Sequence, residues 1–550
     1  MDILDFLLQG FVVALKPLNL GLALVGAFIG TLVGAMPGIG PINGVAVLLP
    51  LSYSLGLPPE TALIMLAGIY YGAEYGGRIS SILLNIPGDA GAVMSTLDGY
   101  PLAHQGKAGS ALALSAISSF IGGTIAVIGL TLFAPPLAQL AIKFGPAEYF
   151  SLMIFAFASL AVIVGKNPLK TGISAVLGVM LAIVGVDSGT GVLRYTYGEP
   201  ELYDGIDFLI VIIGLFAISE ILLLVERTEI NTVQLGTVIG LDKLGELGEQ
   251  RELGELGELG RGGRADSTDE SSIGTEMVNL VPIAVNQAIV NFKEVLACKW
   301  TILRSSIIGF IIGVLPGTGA SIASAVAYAT EKRFNDQEKT FGKGDIRGLA
   351  APEAANNAAA VGAFIPMLTL GIPGSGTTAI LLGGLLLYNI QPGPMLFTQQ
   401  PEIVGGLIAS MYLGNLMLLV LNLPLVGWFT RILLVPNWLL VPGIVVMAFV
   451  GVFSVHGSIV SIFFMLAIGI FGYFLRKLQY SLIALILGFV LGEVMEGNLR
   501  RALAISGGDI GILFQSQISQ SLWILTLSIV ILLPIVRFVG YQLKVRQESR

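Results

Sequence analysis

The sequence predicts an all-α polytopic membrane protein, built as two inverted structural repeats with broken or re-entrant helices and about 10–14 membrane segments. Three observations carry this expectation. The composition is strongly apolar, a pair of proline-glycine interruptions occurs twice, and the charge of the loops reverses between the two halves.

Of the 550 residues, 54% are hydrophobic and 12% charged, with a mean hydropathy of +0.85. Soluble domains carry about 25% charged residues. Apolar runs of roughly 17 to 25 residues recur along most of the chain, each long enough for a hydrocarbon layer about 30 Å thick. That leaves no room for a large soluble domain. The single Cys298 excludes a disulfide framework or a cysteine cluster, and His104 and His456 are too few and too scattered for a histidine metal site. No resident cofactor or metal is expected. Met1 to Gly10 carries acidic residues instead of a basic n-region, so no cleavable signal peptide is read there. The net charge of −7 sits largely in one polar stretch and says little about the substrate; no nucleic-acid partner is expected.

The chain divides into a first membrane repeat with its following helices (1–225), a charged Gly/Glu-rich linker (226–275) and a second repeat with its following helices (276–550). The linker contains "GELGEQRELGELGELGRGG" and reads as a disordered cytoplasmic connector, with a docking site for a regulator as the alternative. On either side of it the breaks recur. "GTLVGAMPGIG" from Gly30 matches "GFIIGVLPGTG" from Gly309 at an offset of 279, with five identities in eleven positions, all Gly or Pro. "NIPGDAGA" from Asn85 and "GIPGSGTT" from Gly371 follow at an offset of 286. Each half therefore carries two breaks in the same order.

Lys and Arg favour cytoplasmic loops. The loop after the first break of the second half, "EKRFNDQEKTFGKGDIRG", holds Lys332, Arg333, Lys339, Lys343 and Arg347, whereas its counterpart "SYSLGLPPETA" has no basic residue. The next loops reverse: "AHQGKAG" carries Lys107, and "YNIQPGPMLFTQQPE" carries none. The halves are thus expected to be antiparallel. Lys166, Lys170, the linker and the C-terminal "KVRQESR" fall inside, and the acidic "YGEPELYDGID" around Glu199 falls outside. Lys16, Arg500 and Arg501 do not follow this assignment.

Irregular backbone at membrane depth survives only where protein or a wet site satisfies its N–H and C=O groups. Each break must therefore be buried or line a cavity. Gly26, Gly30, Gly34 and Gly38, and again Gly309, Gly313 and Gly317, form small-residue ridges that let another helix approach closely, which explains the ridges but not the prolines at their ends. A break also creates a helix N-terminus, whose unbonded N–H groups favour anions. In transporters built from inverted repeats, paired half-helix N-termini bind substrate carboxylates near the midplane while unwound carbonyls coordinate sodium.

The anion-binding candidates are accordingly Pro37, Gly38, Gly40 and Asn43 at the first break and Pro316, Gly317 and Gly319 at its counterpart. Asn85, Pro87 and Gly88, and Pro373, Gly374, Ser375, Gly376, Thr377 and Thr378, belong to the "IPG" breaks. Ser375 could alternatively be an ordinary helix cap, and Asn43 and Asn85 could serve interhelical hydrogen bonds. Asp89 in "PGDAGA" either caps the following helix or accompanies a coupled cation. Glu74 and Arg78 in "YYGAEYGGRIS" stand four apart and can neutralise each other, as a structural pair or as intramembrane charge with a function. Glu353, Asn356 and Asn357 in "APEAANNAAAVGAF" form a polar helical face, directed at a central cavity or capping the cytoplasmic end. Asp89, Glu74 and Glu353 are the cation-coupling candidates.

At these motifs the chain resembles the large, TctA-type membrane subunit of the tripartite tricarboxylate transporters. The resemblance rests on "GAMPGIGPINGVAVLLPL", "YYGAEYGGRISSILLNIPGDAGAV", "DGYPLAHQGKAG", "GVLPGTGASIAS", "APEAANNAAAVGAFIPMLTLGIPGSGTTAILLGG" and "QPGPMLF". It spans about Gly26 to Met395 outside the linker, which looks like an insertion. The resemblance implies a multi-pass carrier of the bacterial cytoplasmic (inner) membrane, taking up a citrate-like tricarboxylate or a dicarboxylate with Na+ or H+. It also implies a small TctB-type membrane subunit and an extracytoplasmic TctC-type solute-binding protein as partners. By analogy, two broken hairpins in inverted repeats suggest an elevator-like motion.

No "GxxxxGK[ST]" phosphate loop occurs in the chain. Nor is there an intramembrane aspartate dyad, HExxH or serine–lysine pair, so an enzyme is not expected. A stand-alone carboxylate carrier and a passive anion channel remain as alternatives.

Overall fold

In the computed structural model of the chain, the described residues are 3–36, 39–161, 167–187, 189–226, 291–432 and 437–531. The linker beyond Glu226, Pro37, Gly38, Lys166 and the C-terminal "KVRQESR" lie outside them. The first part runs α1 (Ile3–Ala14), α2 (Pro17–Ala35), α3 (Gly40–Ser54), α4 (Pro59–Leu84), α5 (Val93–Leu102), α6 (Ala108–Ala141), α7 (Pro146–Ser159) and α8 (Pro168–Ala182). A two-residue hairpin, β1 (Gly185–Val186) against β2 (Leu193–Arg194), then leads to α9 (Phe208–Glu226). After the linker come α10 (Phe292–Ala297), α11 (Lys299–Val314), α12 (Gly319–Asn335), α13 (Ile346–Gly362), α14 (Phe364–Leu370), α15 (Gly376–Leu387) and α16 (Pro401–Asn422). A short helical turn at Val426–Ile432 is followed by α17 (Asn437–His456), α18 (Ile459–Lys477), α19 (Leu482–Ile505) and α20 (Gln517–Ile531). Apart from the hairpin, the regular structure among the described residues is helical.

The glycine ridges act as helix–helix seams. A Cβ on Gly26, Gly30 or Gly34 of α2 would lie 2.3, 2.2 or 2.1 Å from the carbonyl oxygens of Met65, Ile69 and Ala73 on α4. The fit is reciprocal, because Gly68, Gly72 and Gly76 would strike the carbonyls of Ala23, Ala27 and Thr31 at 2.8, 2.3 and 2.2 Å. The second part repeats the seam between α11 and α13, where Gly309 and Gly313 meet the carbonyls of Ala355 and Ala359 at 2.3 and 2.4 Å. In a bilayer, where lipid tails are as apolar as leucine, such close backbone approach supplies the association energy through dispersion contacts.

The breaks are built alike. Asn85 closes α4 with a left-handed φ of 57°, and Gly371 closes α14 with a φ of 69°. In both cases Ile and Pro follow, so the left-handed residue ends the helix and the proline prevents its resumption. At the other pair, Gly40 and Gly319 share left-handed φ values of 64° and 65°. The four helices leaving the breaks meet in pairs. Tyr388, after α15, donates to the Ser52 carbonyl near the end of α3 (3.3 Å), and Tyr328 on α12 donates to Asp98 on α5 (3.0 Å). The other Asp98 oxygen accepts the backbone N–H groups of Gly342, Gly344 and Asp345 at 2.8–2.9 Å, tying the α12–α13 loop to α5.

Six described helical segments are long and apolar enough to cross a membrane: Pro17–Ala35, Val93–Ala141, Phe208–Glu226, Pro401–Asn422, Ile459–Lys477 and Leu482–Ile505. This is fewer than the segments expected, because the breaks divide apolar stretches into helices too short to cross alone. The longest uninterrupted exception is α4, which has 26 residues but is buried along nearly all of its length and carries Glu74 and Arg78.

Arg500, which did not follow the loop-charge pattern, is neutralised locally. It pairs with Asp187 at 2.8 Å and Glu496 at 2.6 Å, while Arg194 bonds to Glu496 at 2.8 Å. The N–H groups of Thr190 and Gly189, with Arg500 beside them, hold the Asp187 carboxyl down at about 2. Because this value lies below the unfolded carboxylate value of about 3.9, the contribution is present above roughly pH 4 and is lost as pH falls through about 2. Amide exchange at Gly189 and Thr190, corrected for intrinsic rate, is therefore expected to stay equally protected from pH 7 to pH 5 and to lose protection only on approach to pH 2. Loss already between pH 7 and pH 5 would contradict this account of the hairpin.

Candidate functional site

All four breaks open onto one cavity of about 580 Å³. Its wall takes Ile39 to Asn43 from the start of α3, Pro87 to Gly91 with Val93 from the start of α5, Gly319 to Ser321 from the start of α12, and Ser375 to Thr377 from the start of α15. Four helix N-termini thus face a common space. Each carries partial positive charge on its unbonded N–H groups, equivalent to roughly half an elementary charge. Tyr70 and Glu74 of α4 close one side, and Phe216, Glu220, Arg476 and Tyr480 to Ile483 close another.

At the α15 start, the Ser375 hydroxyl accepts the Thr378 N–H at 3.2 Å and the Thr378 hydroxyl accepts the Ser375 N–H at 2.8 Å. This is the capping box that was the structural alternative for Ser375. Ser375, Gly376 and Thr377 are the members of the motif that line the cavity, and Thr378 lies behind them. Gly374 packs away from the cavity, where an added Cβ would lie 2.6 Å from Ala363 Cα. Pro373 precedes it outside the cavity wall, as do Pro316 and Gly317; Gly317 sits with a φ of 77° against Leu160. Gly319, Gly40, Pro87 and Gly88 do line the space. Asn85 is exposed at the end of α4 and serves as its left-handed terminator. Asn43 lines the cavity, donates to the Ile39 carbonyl at 2.5 Å, and leaves its Oδ1 without a partner.

The carboxylates cluster behind the first "IPG" break. Asp89 Oδ1 accepts the Ala92 N–H at 2.8 Å, capping α5, while Asp89 Oδ2 is buried with no partner. The capping alternative for Asp89 is thus realised by one oxygen, and the other oxygen has no hydrogen-bond partner. Glu74 accepts the Asn356 amide at 2.8 Å. A Cβ on Gly91 would fall 2.2 Å from Asn356 Oδ1 and 3.1 Å from Asp89 Oδ1, so glycine is what lets α13 approach this turn. Asn357 instead donates to the Glu353 carbonyl within its own helix at 3.2 Å. Glu353 is 2% exposed and accepts the Ser95 and Ser119 hydroxyls at 2.5 and 3.0 Å, outside the cavity wall.

The four-residue spacing of Glu74 and Arg78 does not produce the expected pair. Glu74 turns to Asn356, and the Arg78 guanidinium lies 4.3 Å from the centre of the Tyr75 ring with Nη1 unpartnered. Helical spacing placed the two on one face, but the polar side chains of α13 offered Glu74 a better partner.

Two charged residues of the wall had not been singled out from the sequence. Glu220 on α9 and Arg476 on α18 form an ion pair, 256 residues apart, at the cavity edge. An acidic residue inside the apolar "LIVIIGLFAISEILLLV" was the available signal, since intramembrane charge is rarely idle. Among the charged wall residues, Glu74, Asp89 and Glu220 stand against the single guanidinium of Arg476, leaving two formal negative charges when all are ionised. Among the described residues, no group of three or more His, Cys, Asp or Glu is arranged to hold a metal ion.

Comparison with known proteins assigns the chain to a family. The family model described as "Tripartite tricarboxylate transporter TctA family" matches residues 20–487. An Agrobacterium vitis protein described as "Uncharacterized 52.8 kDa protein in TAR-I ttuC' 3'region" is 38% identical over 539 residues, 98% of either chain. A second protein of that organism, "Uncharacterized protein in TAR-II ttuC' 3'region", is 44% identical over 231 residues, 42% of this chain and 96% of its own length. No solved structure matches significantly. The chain belongs to the tripartite tricarboxylate transporter TctA family.

Proposed function

We propose that this chain performs secondary active uptake of a citrate-like tricarboxylate or a dicarboxylate across the cytoplasmic membrane, coupled to Na+ or H+. In this reading a small membrane subunit accompanies it, and an extracytoplasmic solute-binding protein delivers the substrate. One observation carries the proposal: helix N-termini from all four breaks face a single cavity whose ionisable side chains sum to negative charge. Backbone dipoles alone can hold a carboxylate, but the excess of Glu74, Asp89 and Glu220 over Arg476 disfavours an anion arriving alone. A cation or proton entering with it removes that conflict, and the unpartnered oxygen of Asp89 is a place for one to bind.

Two further features belong to the same reading. Repeats 1–225 and 276–550 are inverted about the linker, supported by helices that meet across the halves: α3 leaves a first break and α15 a second, yet they run to a common contact, as do α5 and α12. The cavity lies toward the cytoplasm, because its Arg476–Ile483 wall adjoins the corner where Lys477 pairs with Glu226 and Lys170 donates to the Leu478 carbonyl. Sliding of the break-bearing helices against α9 and α18 would then carry the substrate across.

The test is reconstitution of this chain with its small subunit and binding protein in vesicles, with sodium and proton gradients imposed separately and labelled citrate and succinate followed. Accumulation driven by one gradient and dependent on the binding protein is expected. Equilibration without accumulation would establish a channel instead. Undiminished uptake without the partners would establish a stand-alone carrier.

A further inference from the structure

The Glu220–Arg476 pair places an anion inside the cavity wall. Glu220 comes from α9 and is 7% exposed; Arg476 comes from the last turn of α18, and both border the space onto which the four breaks open. The same corner holds the start of α19, where Ser481 caps the helix by accepting the Ala484 N–H at 3.2 Å and Ser481, Leu482 and Ile483 line the cavity. A guanidinium beside a helix N-terminus favours negative charge twice over. The protein's own carboxylate meets that demand.

Resting on the carboxylate reading above, we propose that Arg476 is the specificity-determining contact for a second carboxylate of the substrate, and that Glu220 is its internal stand-in, displaced when a di- or tricarboxylate binds. One carboxylate takes the N–H groups at the breaks, and the other takes Arg476 from the opposite wall. A monocarboxylate cannot span both. Glu220 therefore sets a threshold: only a ligand that satisfies the breaks and the guanidinium together competes with a carboxylate already tethered in place. No covalent step is involved, because one carboxylate replaces another on the same guanidinium.

The experiment measures binding of citrate, succinate and acetate to the purified full chain with its small subunit, for the natural protein, Glu220→Gln, and the paired Arg476→Gln/Glu220→Gln. The paired variant leaves no buried charge unmatched, so a folded protein remains to be measured. Relative to Glu220→Gln, in which the guanidinium is free of its competitor, the paired variant is expected to weaken citrate and succinate roughly tenfold or more and to leave acetate unchanged. Glu220→Gln alone is expected to tighten citrate, since its competitor is gone. Equal citrate affinity in the paired variant and in Glu220→Gln, or weaker citrate binding in Glu220→Gln than in the natural protein, overturns this role for the pair. Failure of the natural protein to bind any of the three acids overturns the carboxylate reading itself.

Discussion

Gly374→Leu is expected to abolish uptake while leaving the chain in the membrane. A Cβ at this position would lie 2.6, 2.8 and 2.9 Å from Ala363 Cα, Cβ and carbonyl oxygen, and two of these are backbone atoms that cannot rotate aside. Leucine must therefore push the "IPG" turn away from the α13–α14 junction. The turn carries Ser375 and the start of α15 directly behind it, so Gly376 and Thr377 leave the cavity wall together. A displacement of about 1 Å at a positioning element costs roughly a hundredfold in rate. The comparison is Gly21→Leu on α2, where a Cβ meets nothing within 4 Å and uptake is expected to persist. Vesicle uptake normalised to inserted protein reads the difference; equal rates for the two variants would remove Gly374 from the account.

Asp89→Asn is expected to reduce concentrative uptake while sparing binding. The Oδ1 that accepts the Ala92 N–H has an equivalent in asparagine, so the α5 cap survives, but the unpartnered Oδ2 is replaced by an amide with no negative charge. Where that oxygen binds the coupled cation, one charge disappears from the transport stoichiometry. One elementary charge is worth about 2.3 kcal/mol per 100 mV, so the accumulation ratio is expected to fall roughly 50-fold at that potential. Facilitated equilibration, measured without a gradient, is expected to remain. Unchanged accumulation in this variant would take Asp89 out of the coupling step.

What was readable in advance follows from what kind of signal each feature leaves. The breaks were legible because glycine and proline act locally: Gly40 and Gly319 mark left-handed backbone, and Pro87 and Pro373 mark helix stops, whatever surrounds them. The seam of α2 with α4 was legible as a ridge, although its partner was not. Pairings across long sequence separation left no such trace. Glu74 was read with Arg78 because helical spacing is visible in a string, yet its hydrogen bond goes to Asn356, 282 residues away. Glu220 with Arg476 and Asp98 with the 342–345 backbone were missed for the same reason. Helix α4 shows the limit of hydropathy itself, since its polar residues are buried against protein or, as Tyr70 and Glu74 are, turned to the cavity.

The central claim is that N-termini from both halves hold one carboxylate in a shared cavity. A density map of the full chain with its small subunit in lipid discs, prepared with citrate and sodium, tests it most directly. The account predicts ligand density with one carboxylate within hydrogen-bonding distance of backbone N–H groups from both the Gly40–Asn43 and the Ser375–Thr377 turns. Density bound elsewhere, or on one of these turns with the other packed away in dry protein, would contradict it.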